Sequence, residues 1–501
     1  MTMKKIKLSI LSAAILLTSA SCSKDYLETS PTDKVSSEVA FSSITSAKAA
    51  LSGVYRFMFE RTDVVSVNLQ NKPGITGILL GADFMGEDIG ISTGNWYGVT
   101  GEGNWQGGRT DNHNITQYYY RTYYKMIGDV NQIIANIDNI VASQSDKDAV
   151  LSQALTLRAY AYSYLVQFYG KRYDATKAVN DQLGVPLVLK PEDLTLPRST
   201  VKEVYDVIIA DLDKAISLGV TSRTNKSLTN VFVAKGLRAR VALTMQDYTN
   251  AKKYAKEVID SKSFPLLSAE DYQKGFNDAS LSEFMWATMP TQDQDDAFGS
   301  FFAQIAYNAN TSFMRANPKR INAELYNLIS ATDIRKKMWE PKPTAENFPL
   351  PTANFARQEY MSRKFAVKAA GTALGDVPLM RSAEMYLILA EAHASLGETT
   401  QAQDALFDLV KVRDAQAIKS TKTDNALLEE IWVNRRVELW GEGFRFFDLK
   451  RLNQTMDRNG VSNFVSTSVS NLMKVDAGDE KWQFLFPRAE LDANPEIVQN
   501  D

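Results

Sequence analysis

Two segments of the chain carry the same arrangement: a helical stretch, a four-residue polar turn and a second helical stretch. In the first, Ala234 to Met245 is followed by QDYT and then by Ala251 to Ile259. In the second, Met385, Ile388, Leu389, Ala392 and Leu396 mark one helix, and GETT leads into Gln401 to Val410. Ala239 and Ala251 lie 12 residues apart, as do Ala390 and Ala402. Small side chains at that offset let paired antiparallel helices approach closely, so the chain is built to stack helical hairpins.

The second unit places Tyr386, Leu389, Ala390, Ala402 and Leu406 at the main positions of a tetratricopeptide repeat, while His393 and Asp414 depart from it. Ordinary helical hairpins are the alternative. Further helices follow from apolar spacing. One carries Ala47, Leu51, Val54 and Tyr55; another Tyr120, Tyr124, Ile127, Ile134 and Val141; a third runs from Val150 to Phe168 and closes at Gly170. Thr200 and Glu203 form a capping-box pattern before Val204, Ile208 and Leu212. Period-two alternation in EFMWATM (Phe284, Trp286) and KWQFLFP (Trp482, Phe484, Phe486) predicts short strands. Between Gly74 and Gly108 fall 11 of the 26 glycines, with Trp96, Tyr97 and Trp105 among them. That density predicts a long structured loop or short strands.

The N-terminus fixes the compartment. Lys4, Lys5 and Lys7 precede an apolar run from Leu8 to Leu17, then Ser19, Ala20, Ser21 and Cys22. This is a secretory signal, too short for a membrane span, and it resembles a bacterial lipoprotein signal in which Cys22 becomes the lipidated first residue. Ordinary secretion with an incidental cysteine is the alternative. Removing residues 1–21 takes the net charge from −3 to −6. No basic field is left for nucleic acid. Cys22 is the single cysteine and His113 and His393 the two histidines, which excludes an internal disulfide and a structural zinc site.

Three segments resemble the SusD/RagB family of Bacteroidota nutrient-binding lipoproteins. They are RRVELWGEGFRFFDLKR (Arg435 to Arg451), FPRAELDANPEIVQN (Phe486 to Asn500), and LRAYAYSYLVQFYG (Leu157 to Gly170) with GVPL (Gly184 to Leu187). A 13-residue insertion, Lys171 to Leu183, separates the last two. The resemblance implies a mostly α fold: tetratricopeptide-like helix pairs form a scaffold, and long loops with a few short β-strands carry the ligand surface. It also implies an outer-membrane, exterior-facing lipoprotein that captures oligosaccharide or polysaccharide without catalysis and works with a SusC-like TonB-dependent transporter. The expected organisation is a signal peptide at 1–21, a flexible tether at 22–36 and a single body at 37–501. Within that body, 37–270 is an N-terminal helical part holding the glycine-rich loop 74–114. Residues 271–501 hold a loop-rich segment, the C-terminal helical pair and the signature.

Sugar recognition needs an aromatic face for ring C–H groups and polar side chains for hydroxyls. The loop supplies Trp96, Tyr97 and Trp105 beside Asn95, Asn104 and Arg109. Phe301 and Tyr307 form a second candidate group, since consecutive Phe301 and Phe302 cannot share a strand face and a strand would expose one of them; a strand or helix packing Phe298 and Phe302 inward is the preferred reading. The acidic run Asp293, Asp295 and Asp296 could hold Ca²⁺, but Ala297 and Phe298 stand where an EF-hand needs a ligand and glycine, so a solvated acidic turn is the preferred reading; no other cofactor is expected. In the signature, Glu438 and Glu442 sit one helical turn apart, with Arg445 placed to bridge them or Asp448. A glycosidase would need two carboxyls across a cleft. The preferred reading of Arg435, Glu438, Glu442, Arg445 and Asp448 is a buried ion-pair network at a chain reversal. A peptide-binding relative is the remaining alternative.

Overall fold

A computed structural model describes residues 41–61, 73–91, 101–296 and 299–501. The signal, the tether, Cys22, Asn95, Trp96, Tyr97 and Phe298 lie outside the described residues.

Apolar spacing sets the long helices, and several of them open on a capping side chain. α1 (Ile44–Phe57) starts at Ser43, whose hydroxyl accepts from the Ser46 N–H. α2 (Gly74–Met85) follows. α3 (Asn114–Asn136) is capped by His113 and α4 (Gln144–Tyr169) by Ser143. α4 ends at Gly170, and α5 (Val201–Ser217) opens on the Thr200–Glu203 capping box. The two hairpins are α6 (Val231–Thr244) with α7 (Tyr248–Asp260), and α8 (Ser382–Ser395) with α9 (Thr399–Arg413). α10 (Asp424–Glu438) and α11 (Arg445–Arg451) carry the signature.

Neighbours in sequence pack side by side from α3 to α7, and α7 then packs on α8, which also meets α9 and α10. Ala239, Ala251, Ala390 and Ala402 are all fully buried, so the two hairpins are knitted by the small residues that predict them. The fold is therefore the mostly helical scaffold expected from the spacing.

Three antiparallel two-stranded pairs complete it: β1 (Phe284–Thr288) with β4 (Val377–Arg381), β2 (Trp339–Glu340) with β3 (Met361–Ser362), and β5 (Met456–Asp457) with β6 (Lys474–Val475). β1 is buried on both faces. KWQFLFP is not a strand. Glu480–Trp482 forms a 3-10 turn, and the Phe484 and Leu485 N–H groups donate to Phe168 and Gly108 carbonyls instead of to a partner strand.

The glycine-rich segment also departs from expectation. Its first third is α2, a helix buried all round, because GITGILLGADFM is apolar on every face. Among the described residues, several of its glycines serve close packing. A Cβ on Gly81 would sit 2.1 Å from the Tyr119 hydroxyl, and one on Gly108 2.5 Å from the Phe484 ring. Among the described residues no helix is long and apolar enough to cross a membrane.

Candidate functional site

The signature residues are enclosed, not displayed. α10 ends at Glu438, and Gly441 (φ 79°) and Gly443 (φ 87°) take the left-handed backbone that reverses the chain into α11. Arg381, at the end of β4, donates to Glu442 Oε2 at 2.8 Å and Oε1 at 2.7 Å, to Glu438 Oε1 at 3.1 Å, and to Glu283. Arg413 spans Glu283 (2.7 Å) and Glu438 (3.1 Å), and Lys364 holds Glu442 (2.7 Å). Burial pushes the Glu438 carboxyl up, but Arg413, Arg381 and Arg335 outweigh that and hold it well below the usual carboxylate range. Arg435 and Arg451 clasp Asp448 at 2.7 and 2.8 Å. Arg445 bridges neither Glu442 nor Asp448 as expected; it pairs with Glu87 on the segment after α2, because the glycine turn aims it that way. Asp83 on α2 accepts the Gly443 and Arg445 N–H groups at 2.9 and 3.1 Å. The signature is thus the clamp between α2, β4, α9 and α10. Two carboxylates locked this way do not face a substrate cleft.

The loop aromatic within the described residues is core as well. Trp105 is 2% exposed, donates its indole N–H to Met85 O, and meets Trp482 and Phe446 edge-on at 4.7 and 5.6 Å. Its expected role as a ligand platform is corrected: the polar loop folds back onto an aromatic cluster that α4, α11 and the closing segment supply. Arg109 reaches the Gln483 and Asp501 carbonyls at 2.6 and 2.5 Å and so pins the closing segment. Asn104 is half-buried and contacts Gln106 and Ser470. Phe301 and Phe302 are both buried, since they sit in a short helix (Phe301–Ile305) rather than a strand. Tyr307 is half-buried against Phe348.

One expected group does border a cavity. A cleft of about 290 Å³ opens between the end of α1, the Thr291–Asp296 turn, Phe301 and the loop at 373–375. Asp295 accepts the Ala373 N–H at 3.1 Å, fastening the acidic turn to that loop. Arg61 approaches Asp296 at 3.3 Å, and Gly299 leaves the room for that pair, since a Cβ there would lie 2.4 Å from the Asp296 carboxylate. Asp293 accepts from Thr291, and the same hydroxyl reaches Gln294 Oε1, which leaves the Gln294 NH₂ without a partner among the described residues. At the end of β1 the Thr288 hydroxyl is buried and unpartnered among the described residues. A lone buried hydroxyl on a cavity wall is a group that a ligand can satisfy. Together the cleft offers carboxylates, an amide, a guanidinium and an aromatic edge, the set that hydroxyl-rich ligands require. The three acidic side chains are individually engaged, and among the described residues no three His, Cys, Asp or Glu side chains gather to hold a metal. Arg61 and Thr288 had no signal in the sequence, because the cleft joins positions more than 200 residues apart.

The sequence model described as SusD family matches residues 242–501. The chain belongs to the SusD family. A second model, described as starch-binding associating with outer membrane, matches residues 25–243. The chain is 25% identical to SusD-like protein P2 of Formosa agariphila, over 92% of this chain and 93% of that relative. Among solved structures it is similar to a SusD-like carbohydrate binding protein from Bacteroides vulgatus (TM-score 0.77, 25% identity, 91% of this chain and 98% of the other). A SusD superfamily protein from Bacteroides thetaiotaomicron gives a TM-score of 0.76 at 25% identity, over 92% of this chain and 100% of that one. A structure named as a laminarin binding SusD-like protein shares the fold at a TM-score of 0.67 and 21% identity, over 91% of this chain and 98% of that one. Carbohydrate and laminarin binding are named for those neighbours, and the outer-membrane description belongs to the second model.

Proposed function

We propose that this SusD-family chain is a non-catalytic lipoprotein of the outer membrane, anchored through Cys22 and facing the exterior. It binds oligosaccharides and passes them to a SusC-like TonB-dependent transporter. The observation that carries the binding part is the cleft of Arg61, Thr288, the Thr291–Asp296 turn and Phe301, which presents unpartnered polar groups beside an aromatic edge. The non-catalytic part is supported by Glu438 and Glu442, whose charges are spent on buried arginines and a lysine. Asn95, Trp96 and Tyr97 remain proposed ligand contacts, and the proposed binding needs no metal at the acidic turn.

Calorimetry of the chain from residue 22 onward against a panel of neutral polysaccharides and peptides tests the reading. Saturable polysaccharide binding that Arg61→Ala weakens is the expected result. Preferential binding of peptides would move the ligand class, and steady release of reducing ends would replace binding by hydrolysis. Co-purification with a barrel transporter tests the delivery step.

A further inference from the structure

A second cleft, about 300 Å³, lies where the Lys171–Leu183 insertion meets α11 and residues 478–483. Its volume is at the lower end for small-ligand pockets. The floor is Lys450, a buried ammonium whose three N–H donors go to the Gln167, Gly170 and Trp482 carbonyls at 2.5, 2.8 and 2.6 Å. No carboxylate touches it. Leu449 and Trp482 form the apolar wall.

The rim is more informative. Four of its charges are spent in place: Arg172 and Asp174 on each other (2.9 Å), Asp479 on Lys481 (3.1 Å), and Glu480 on Arg109 (3.6 Å). Lys171 and Lys177 form no ion pair among the described residues; the Asp174 carboxylate stands close enough to feel Lys177, and Asp501 is the other acidic side chain on the cleft that is not held in a salt bridge. The Gln182 amide donates to Arg172 O and Asn180 Oδ1, while its Oε1 is buried and unpartnered among the described residues. The side-chain amides of Asn453 and Gln454 also line the cleft without a hydrogen bond among the described residues. Two ammonium groups outside any ion pair, above a buried one, favour an anion, and the buried Gln182 Oε1 with the Asn453 and Gln454 amides beside an apolar wall favours a hydroxyl-bearing ring.

We propose that this cleft is a second ligand site, taking a carboxylate-bearing saccharide. Lys171 and Lys177 bind the carboxylate, Gln182, Asn453 and Gln454 meet hydroxyls, and Leu449 with Trp482 packs the ring. This rests on the carbohydrate reading above but names a separate cleft and a separate sugar class. None of these groups belongs to the Arg61 cleft.

The test is calorimetry at low ionic strength with digalacturonate, maltose and a tetraglutamate peptide. Wild type is compared with Lys171→Gln/Lys177→Gln and with Gln454→Leu. Lys171 and Lys177 are exposed, so the double variant keeps its melting temperature. Saturable digalacturonate binding that weakens at least tenfold in the double variant, and also falls in Gln454→Leu, is the expected outcome. Absence of digalacturonate binding, equal affinity in all variants, or maltose bound as tightly with the same sensitivity to the lysines overturns the proposal. Tighter binding of tetraglutamate than of digalacturonate overturns the saccharide assignment. Neutral polysaccharide binding that Arg61→Ala weakens and the double variant preserves keeps the main reading standing if this one fails.

Discussion

The indole N–H of Trp105 donates to the carbonyl of Met85 across 2.9 Å, so the ring closes the C-terminal end of α2 instead of lining a sugar site. Arg458 reinforces the same end, its guanidinium donating to the Phe84, Met85 and Gly86 carbonyls. A buried cation at exposed carbonyls suits the negative end of the helix dipole. The described part of the glycine-rich segment is therefore secured at the end of α2.

Trp105→Ala is expected to lower stability by about 3–5 kcal/mol, the range for deleting a buried aromatic. Chemical denaturation measures the loss. Polysaccharide affinity per folded molecule should stay at the wild-type value, whereas a ligand-stacking tryptophan would lower affinity at unchanged stability.

Glu438 holds Arg381 and Arg413 together at 0% exposure. Glu438→Ala leaves both arginines short of a buried counter-charge and should cost about 3–5 kcal/mol. Glu438→Gln, which keeps the shape and one acceptor, should cost less. An urea unfolding series that ranks the two the other way round contradicts the clamp.

Gly81→Ala forces a methyl against the Tyr119 hydroxyl inside a packed helix interface. Overpacking of this kind costs about 1–3 kcal/mol. A thermal melt that shows Gly81→Ala as stable as wild type would mean that α2 shifts freely, against its burial on every face.

Burial pushes the Lys319 ammonium down to about 7 from its usual 10.5, with Asn317 O (3.0 Å) as its hydrogen-bond acceptor and the Phe84 ring 5.5 Å away. Between those values the unfolded chain binds more protons than the folded one, so this group makes stability rise with pH from about 7 to about 10.5. The slope is at most about 1.4 kcal/mol per pH unit. Lys319→Met should flatten the wild-type slope across this window in denaturation curves taken at half-unit steps; identical slopes would refute the assignment.

Thr288→Val removes a hydroxyl with no protein partner among the described residues, so stability should change little. If a sugar hydroxyl uses that group, affinity falls by about 1 kcal/mol, roughly fivefold. Calorimetry on the same polysaccharide used for Arg61→Ala reads both.

The hairpins were legible because alanine spacing reports directly on helix approach, and Ala239, Ala251, Ala390 and Ala402 all sit where that spacing demands. The capping box at Thr200 was equally plain, since cap and acceptor lie three residues apart. Glycine was the misleading signal. Density suggested a loop, but Gly77, Gly81 and the apolar residues between them make a helix surrounded by protein, a context that residue counting does not contain. Phe301 and Phe302 misled for a related reason: a strand would have split them, whereas a short helix in a second core cluster buries both. The Arg61 cleft was out of reach, because its walls come from α1, β1 and the loop at 373–375 and meet only in three dimensions.

Phe484, Phe486 and Ile497 belong to the same hydrophobic cluster as Leu51 and Val54 on α1. The first helix and the closing segment thus complete one interior together. Phe484 packs on Phe168 and Phe486 on Tyr169, beside the rings of Tyr119, Tyr120, Phe446 and Phe447, so the closing segment supplies one wall of the pocket in which α4 ends. The interior around α4 is therefore shared between segments more than 300 residues apart, and neither end of that span can be removed without opening it.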